Sequence, residues 1–268
     1  MKNVCSIIFI VLIQSFTYVF SQEKDALSAE KLSMNLNYHL GFITIPTGEI
    51  EFKAYNTFYK NKPGYCLEAQ GGSLKKYESF YKYTSSNRAY IDPSNNQLTY
   101  FERKVNQNDE LFEEYYTFDG VQKKINSKIA TSKKAIKHDT LSLQSNLFDF
   151  LSAGHHLRFI DYDNMKIGEK VPINVLLENT LYPLYIKYMG MEKIVLPMEK
   201  SYFCYKIAVQ TIEGSVFKGG ESMLAWVSAD NQRLPIQFEA KILVGSVKAY
   251  LCKAERSEKF KDLSELKK

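Results

Sequence analysis

The sequence predicts an all-β protein with one short helix, built as a single strongly curved antiparallel sheet or an open β-barrel. Three observations lead to this fold class. Apolar and polar residues alternate with a period of two in many short segments. These segments recur about every 8–12 residues, between turns rich in Gly, Pro, Asn and Asp, as in barrels and curved sheets. One segment, residues 146–158, has helical spacing instead.

The N-terminal half consists of short predicted strands. Leu36–Leu40 and Ile50–Ala54 are expected to form a hairpin with Pro46–Thr47–Gly48 as its loop. Asp119–Gly120 is a strong turn pair further along the chain. The other strands predicted in this half are Tyr65–Ala69, Ala89–Asp92, Leu98–Phe101, Glu113–Phe118, Val121–Ile125 and Lys128–Ala130.

The single predicted helix spans residues 146–158. Its apolar residues, Leu147, Phe150, Leu151 and Leu157, have the spacing of one helix face. Ser145 or Asn146 is a suitable N-cap. Because strands flank this helix on both sides, we expect it to plug or cover one end of the sheet.

The C-terminal part is predicted as an antiparallel meander. Its clearest strand begins after the turn Ala229–Gln232, and the apolar residues Leu234, Ile236, Phe238 and Ile242 are expected to face one core. The other strands predicted here are Val171–Leu177, Leu184–Tyr188, Met191–Leu196, Phe203–Val209 and Val247–Leu251.

The N-terminus predicts export. Lys2 is followed by the apolar run Ile7–Ile13, which is too short to span a bilayer, and Ser21 ends the segment. We interpret residues 1–21 as a signal peptide, with an uncleaved membrane anchor as the alternative. Residues 22–254 are expected to form a single β-rich domain without a membrane span, and residues 255–268 a charged tail. The expected location is outside the cytoplasm.

The charge of the chain is mildly basic, with a formal net charge of +5. The lysines are scattered among Glu and Asp, apart from short runs at Lys123–Lys124 and Lys133–Lys134. A nucleic-acid-binding protein concentrates its basic residues on one element. Nucleic acid is therefore not an expected partner, whereas an anionic partner of another kind stays open.

Three cysteines follow the signal segment: Cys66, Cys204 and Cys252. Each falls on the polar phase of its predicted strand. An exported protein meets an oxidising environment, so one disulfide is possible, and one thiol would then be left over. Three unpaired thiols are the other interpretation.

The search for catalytic and metal-binding motifs is negative. His155–His156, with Asp161 and Asp163 nearby, could supply metal ligands, but adjacent helical residues point about 100° apart. Ser73 and Lys76 match the Ser-x-x-Lys motif of acyl-transfer enzymes without its companion motifs. The sequence therefore predicts no metal, no cofactor and no enzymatic activity.

The stretch Gly219–Leu251 resembles the C-terminal signature of a bacterial exported family, domain of unknown function 3108. The likeness spans about residues 33–254. It implies a curved antiparallel β architecture and secretion across the inner membrane, with the bacterial periplasm as the expected location, and it supplies no activity or catalytic residue. The matching positions are Trp226, Ser228, Asp230, Arg233, Pro235, Val244, Gly245 and Ser246.

Three functions are compatible with these observations. The first is an exported, non-catalytic binding or carrier module that holds a lipid or an envelope polymer in an apolar hollow of the sheet. The second is a structural or assembly factor of the envelope that acts through contacts with another protein. The third is an enzyme of unrecognised type. In the first case the hollow is predicted to be lined by Phe150, Leu151, Trp226, Ile236 and Phe238.

Overall fold

The computed structural model describes residues 29–257, except residues 80, 198–199, 214–217 and 243. The signal segment predicted at residues 1–21 and the tail from residue 258 onward lie outside the described residues. Within the described part, 15 strands form one sheet. They are β1 (Ala29–Leu40), β2 (Ile43–Tyr59), β3 (Lys62–Ser73), β4 (Tyr83–Asp92), β5 (Gln97–Gln107), β6 (Glu110–Asp119), β7 (Lys124–Thr131), β8 (Lys134–Ser142), β9 (Leu147–Phe148), β10 (Lys170–Leu177), β11 (Thr180–Val195), β12 (Ser201–Glu213), β13 (Lys218–Ser228), β14 (Pro235–Lys241) and β15 (Ser246–Ser257).

The strand order confirms the predicted fold class. The sheet runs from β8 through β1 to β15 and on to β9, so nearly every strand pairs with its neighbour in sequence. β1 lies at the centre and pairs antiparallel with both β2 and β15. The short β9 pairs parallel with β10, while the other strand pairs are antiparallel. This all-β meander contains one α-helix in the described residues, α1 (Phe150–His156).

The sheet curls around α1, so that its two halves face each other. Leu151 of the helix packs with Phe101 and Tyr116 of the N-terminal half. Ala153 and Leu157, on the next turn, pack instead with residues of β10 to β13. The helix therefore fills the space between the two halves of the sheet.

The turn between β10 and β11 is hydrogen-bonded to β6, which joins the two halves of the curled sheet. The Glu178 backbone N–H donates to the Glu114 carboxylate at 2.6 Å, and the Asn179 N–H donates to the Tyr116 hydroxyl at 2.8 Å. Arg103 pairs with both Glu114 and Glu178. We call this contact the seam: Arg103, Glu114, Tyr116, Glu178 and Asn179. It makes an open sheet barrel-like without a continuous ring of strand pairing.

The first hairpin turns earlier than predicted. Its turn lies at Gly41, with φ +57°, and residues 46–48 belong to β2. Gly48 faces a neighbouring strand, where an added Cβ would lie 2.4 Å from the Gly72 carbonyl oxygen. A glycine that allows two backbones to approach closely was thus mistaken for a turn glycine.

Two predicted strands are one strand in the structure. Leu184–Tyr188 and Met191–Leu196 were expected to be separated at Gly190, but β11 runs through this position. Gly190 has φ +99°, and the register with β12 shifts there. Gly190 therefore marks a bulge, which bends the strand without ending it.

The helix starts later than predicted. Leu147–Phe148 forms β9, and Asp149 caps α1 in place of Ser145 or Asn146. The α-helix has only 7 residues, and a 3₁₀ turn at Leu157–Phe159 extends it. The predicted apolar spacing thus spans three different local structures.

The C-terminal strands were predicted well, apart from their ends. β13, β14 and β15 form the expected antiparallel meander, and β15 continues to Ser257, past the predicted domain end at residue 254. A bulge opposite Pro235 interrupts the alternation of β14. Leu234 and Ile236 share one buried cluster and Phe238 packs against it, whereas Ile242 is not among its members.

The burial of the cysteines does not follow the alternation of their strands. Cys66 and Cys204 are fully buried, although both fall on the polar phase of their strands, and Cys252 is exposed. All three are free thiols, which is the second of the two interpretations of the sequence. Both faces of the sheet are covered near Cys66, because Tyr55 and Arg88 lie over Glu68 on the side away from the helix. A polar neighbour in sequence therefore did not mean an exposed position.

Candidate functional site

The five residues predicted to line an apolar hollow are distributed over separate packed clusters. Leu151 belongs to the cluster of the N-terminal half, and Phe150 packs against this cluster and the adjacent one. Trp226 and Ile236 belong to a third cluster, and Phe238 packs between the second and the third. The five side chains do not converge on one surface, so ligand binding by this set stays a prediction without a shared cavity to support it.

Trp226 lies on the face of the sheet opposite the helix. Its sequence neighbours Ala225 and Val227 pack in the cluster that contains Ala153 and Leu157 of the helix region. Successive strand residues point to opposite faces of a sheet, so Trp226 points away from the helix. The indole Nε1–H donates to Glu192 at 3.0 Å, and the Lys206 ammonium lies 5.5 Å from the ring centroid. Hydrogen bonds from Lys206 and then Trp226 hold the pKa of Glu192 below its usual range.

A surface groove lies on the same face as Trp226. In the strand register Trp226 is opposite Gln237, Gln237 is opposite Tyr250, and Tyr250 is opposite Asn35. The groove has a volume of about 380 Å³. It lies between β1, β15, the start of β12, the loop before β12 and the loop between β13 and β14. Its described lining residues are Asn35, Asn37, Leu196, Pro197, Lys200, Tyr202, Gln232, Leu234, Tyr250, Leu251, Cys252, Lys253 and Ala254.

The groove combines an apolar floor with a polar rim. Leu196, Leu234 and Leu251 are buried members of the third cluster, so the floor is continuous with the core. Lys200 and Lys253 line the same groove as the amides of Asn35 and Asn37, and Lys253 also pairs with Glu255. The volume lies within the range of about 300–1,000 Å³ that is typical of small-molecule sites.

The turn after β13 builds one wall of this groove. The Asp230 carboxylate accepts the Ser228 hydroxyl at 2.6 Å and the Gln232 backbone N–H at 3.0 Å. The Ser228 oxygen in turn accepts the Leu234 N–H at 2.8 Å. These bonds fix the loop that presents Gln232 and Leu234 to the groove, so two residues of the recognised signature have a structural role here.

Arg233 points from the same loop to the helix side. Its guanidinium carbon lies 4.6 Å from the Tyr205 ring centroid, and Nη2 is 3.3 Å from Asp163 Oδ2. Tyr205 donates its hydroxyl to the other oxygen of Asp163 at 2.5 Å. The loop is thus held from both sides, which gives the groove wall a defined position.

A buried charge cluster ties the helix region to both ends of the described chain. Arg158 binds Glu30 in a bidentate manner at 2.6 and 3.0 Å, and Arg256 binds the same carboxylate at 2.8 and 2.9 Å. Arg158 also donates to the Arg233 carbonyl at 2.8 Å. Burial alone would raise the pKa of Glu30, but the two arginines outweigh it and hold this pKa below its usual value. This cluster was not predicted from the sequence, because its members lie far apart in the chain.

The His and Ser residues considered in the sequence analysis as metal ligands or as a nucleophile have structural partners. His155 contacts the rings of Tyr65 and Phe159, and burial, with a smaller effect of Arg158, lowers its pKa to about 3. His156 stacks on Phe148 at 4.7 Å. The Ser73 hydroxyl accepts the Tyr83 backbone N–H at 3.1 Å. Across the described residues, no group of three or more His, Cys, Asp or Glu is arranged to hold a metal ion.

The fold and site define a curved, barrel-like β protein with a surface groove supported by its C-terminal loop. The chain belongs to the family described as Protein of unknown function (DUF3108), whose model matches residues 34–251. This confirms the resemblance seen in the sequence.

A solved structure with a similar fold is titled as a beta-barrel-like protein of domain of unknown function DUF1849 from Brucella abortus. It shares 8% identity with a TM-score of 0.54, over 87% of this chain and 99% of that one. At this identity the likeness concerns the fold alone. The comparison with curated proteins finds no match. Over the part of the chain that the structure describes, no helix is long and apolar enough to cross a membrane.

Proposed function

We propose that this protein is an exported, non-catalytic binding module that holds a small amphipathic molecule in the groove. The ligand class is an acyl chain with an anionic head group. One observation carries the proposal: an apolar floor formed by Leu196, Leu234 and Leu251 adjoins a rim with Lys200 and Lys253. An aliphatic tail fits the first feature, and a carboxylate or phosphate fits the second.

The energetics are compatible with useful binding. Each methylene buried contributes about 0.8 kcal/mol, so ten buried methylenes would contribute roughly 8 kcal/mol. Association and ordering cost several kcal/mol and reduce this gain. A charged contact at the rim then adds to the remaining favourable free energy of binding. A ligand with a short tail would therefore bind weakly, and affinity should rise with chain length until the groove is full.

The composition of the groove supports a binding role. Most of its described lining residues are apolar or uncharged, and the only charged ones among them are Lys200 and Lys253. Export is proposed from the charged start, short apolar run and small-residue end of residues 1–21.

A fluorescent fatty-acid displacement assay tests the proposal. The chain without residues 1–21 should bind the probe saturably, and Asn35→Trp should abolish binding because an exposed groove residue is replaced by a bulky ring. Asn126→Trp, an equivalent change at an exposed position of β7, is the matched control and should bind normally. Lys200→Gln should weaken binding of a fatty acid more than of the fatty alcohol of equal length.

Cys252 allows an independent test of location. It lines the groove and is exposed, whereas Cys66 and Cys204 are buried. A maleimide should therefore label Cys252 selectively in the folded protein, and a bound fatty acid should slow this labelling. Unchanged labelling at saturating ligand would place the ligand elsewhere.

A second candidate function is that of an assembly factor acting through protein contacts. It is favoured by large apolar side chains at the surface of β11 and β12: Met191 is 58% exposed, Val195 62% and Phe203 66%. Interfaces are enriched in such aromatic and Met residues. If no fatty acid or related amphiphile binds saturably up to high micromolar concentrations, this function becomes the leading one.

A further inference from the structure

The positive charge of the chain is concentrated at one end of the sheet. Residues 120–142 contain six lysines and one aspartate, a balance of +5 that equals the formal net charge of the whole chain. In the sequence these lysines look like separate short runs. The structure brings them together, because this segment folds into β7 and β8, which pair with each other at the edge of the sheet.

The lysines on this edge are mostly without acidic partners. Lys133 pairs with Glu110 and Lys137 with Asp139. Lys128 lies 5.2 Å from the Tyr115 ring centroid, an aromatic contact that leaves its charge uncompensated. No ion pair of Lys124 or Lys134 occurs within the described residues. The surface is therefore a positive field next to a strand edge, and it attracts negative groups.

The edge strand itself is accessible along most of its length. β8 pairs with β7 on one side, and in the described part of the chain no strand pairs with its other side. Lys134 through His138 are all exposed, and the apolar Ile136 is 55% exposed. Such an edge presents unpaired backbone N–H and C=O groups that can accept another strand.

We propose that β8 is a docking edge for an extended, acidic segment of another protein, which adds to the sheet as one more strand. Main-chain hydrogen bonds to β8 would supply affinity. Carboxylates near Lys124 and Lys134 and an apolar side chain against Ile136 would supply selectivity.

The observations favour a polypeptide over another polyanion. A phosphorylated lipid or an acidic polysaccharide would use the lysines, but it would leave the backbone edge and Ile136 without a complementary partner. A second copy of β8 is disfavoured where lysines would face one another, since like charges opposite each other destabilise a strand pair. Lysines on edge strands commonly prevent self-association, and the same charges here select an acidic strand.

Fluorescence anisotropy with designed peptides tests this proposal on the purified protein. The probe is a labelled peptide of alternating Glu and Val, which should bind with an affinity that falls steeply with salt. A peptide of alternating Lys and Val should bind at least tenfold more weakly. A Glu peptide with prolines at every second position tests the strand edge, because proline cannot complete the ladder. Its affinity should also be at least tenfold lower than that of the Glu–Val peptide.

Variants and exchange measurements locate the site. The double change Lys124→Glu and Lys134→Glu should weaken binding of the Glu–Val peptide at least tenfold. The double change Lys62→Glu and Lys241→Glu, at two exposed sites elsewhere, should not. Bound peptide should slow amide exchange in residues 134–140. Equal binding of the proline peptide, or competition by heparin without any change in exchange, would overturn strand addition in favour of a simple polyanion surface. Self-association of the free protein that the lysine changes abolish would also overturn it.

Discussion

At the scale of single residues, the charge cluster of Glu30, Arg158 and Arg256 is the interaction most sensitive to change. Glu30 and Arg158 are both nearly fully buried, with 7% and 5% of their side chains exposed. Removing one partner of a buried ion pair leaves a charge without compensation in a poorly solvating environment. The penalty is far larger than for a surface pair, where water replaces the lost partner.

Arg158→Met is therefore expected to lower the free energy of unfolding by roughly 3 kcal/mol, the lower end of the range for a broken buried pair, because Arg256 still pairs with Glu30. Urea denaturation followed by tryptophan fluorescence measures this loss, since Trp226 is the sole tryptophan. Lys187→Met, which breaks the surface pair with Glu221, is the matched control and should have a much smaller effect. A loss below about 1 kcal/mol for Arg158→Met would show that the cluster is not a buried pair in solution.

The lowered pKa of His155, a partly buried histidine, predicts a pH dependence of stability. Burial lowers its pKa to about 3 from the ordinary 6.5, so between these values the unfolded chain binds a proton that the folded chain does not. Stability should be fully present above pH 6.5 and fall as the pH drops, by up to about 1.4 kcal/mol per pH unit. His155→Phe should flatten this decline between pH 6.5 and 4.5, as measured by urea denaturation at several pH values. His138→Phe, at the exposed β8, should leave the slope unchanged.

At the scale of elements, α1 depends on its cap more than on its length. Asp149 is fully buried and accepts the Leu151 N–H at 2.7 Å, the Ser152 N–H at 3.0 Å and the Ser152 hydroxyl at 2.7 Å. A helix this short has little stability of its own, so packing and capping must hold it in place. The cap thus fixes the element that fills the space between the two halves of the sheet.

Asp149→Ala should cost about 0.5–2 kcal/mol of stability, the range measured for lost N-caps. Asp149→Asn keeps an acceptor at the same position and should cost clearly less. Chemical denaturation of the three proteins in parallel decides this. If the alanine and asparagine variants are equally stable, the hydrogen bonds of the cap do not contribute as the geometry suggests.

The sequence predicted elements better than it predicted the positions of glycines, caps and buried groups. Period-two alternation located most strands and the C-terminal meander, because one face of each is buried. Gly48 and Gly190 were misjudged, since a turn, a bulge and a close strand approach all favour glycine. The burial of Cys66 could not be predicted either, because it depends on side chains from neighbouring strands.

Contacts between residues far apart in the chain could not be predicted from a single sequence. Glu30 and Arg158 are 128 residues apart, and their pairing follows from how far the sheet curls. The groove was missed for the same reason: its walls come from β1, β12, β15 and the loop before Leu234. The loop residues Ser228 and Asp230 were recognised as a signature, and their hydrogen bonds now explain that signature in physical terms.

At the scale of the whole molecule, closure of the sheet depends on the seam. The two edge strands, β8 and β9, do not pair with each other, so the curl is held by the helix and by the turn at Glu178–Asn179. Glu114 is fully buried there, and burial raises its pKa despite the donors around it. Three donors, from Arg103, Tyr116 and the Glu178 backbone, are directed at this carboxylate.

Tyr116→Phe should therefore loosen the seam while leaving the strands intact. The change removes the acceptor of the Asn179 N–H and one donor to Glu114, at a cost of about 1–3 kcal/mol for buried groups left unpaired. Because the loss falls on the contact between β6 and the β10–β11 turn, amide exchange of residues 176–181 should accelerate by about tenfold or more. Tyr188→Phe, an equivalent change within the other half of the sheet, is the control and should leave these amides unchanged. If exchange at the turn is the same in both variants, the curl is maintained by helix packing alone, and the hydrogen bonds of the seam do not determine the closed shape.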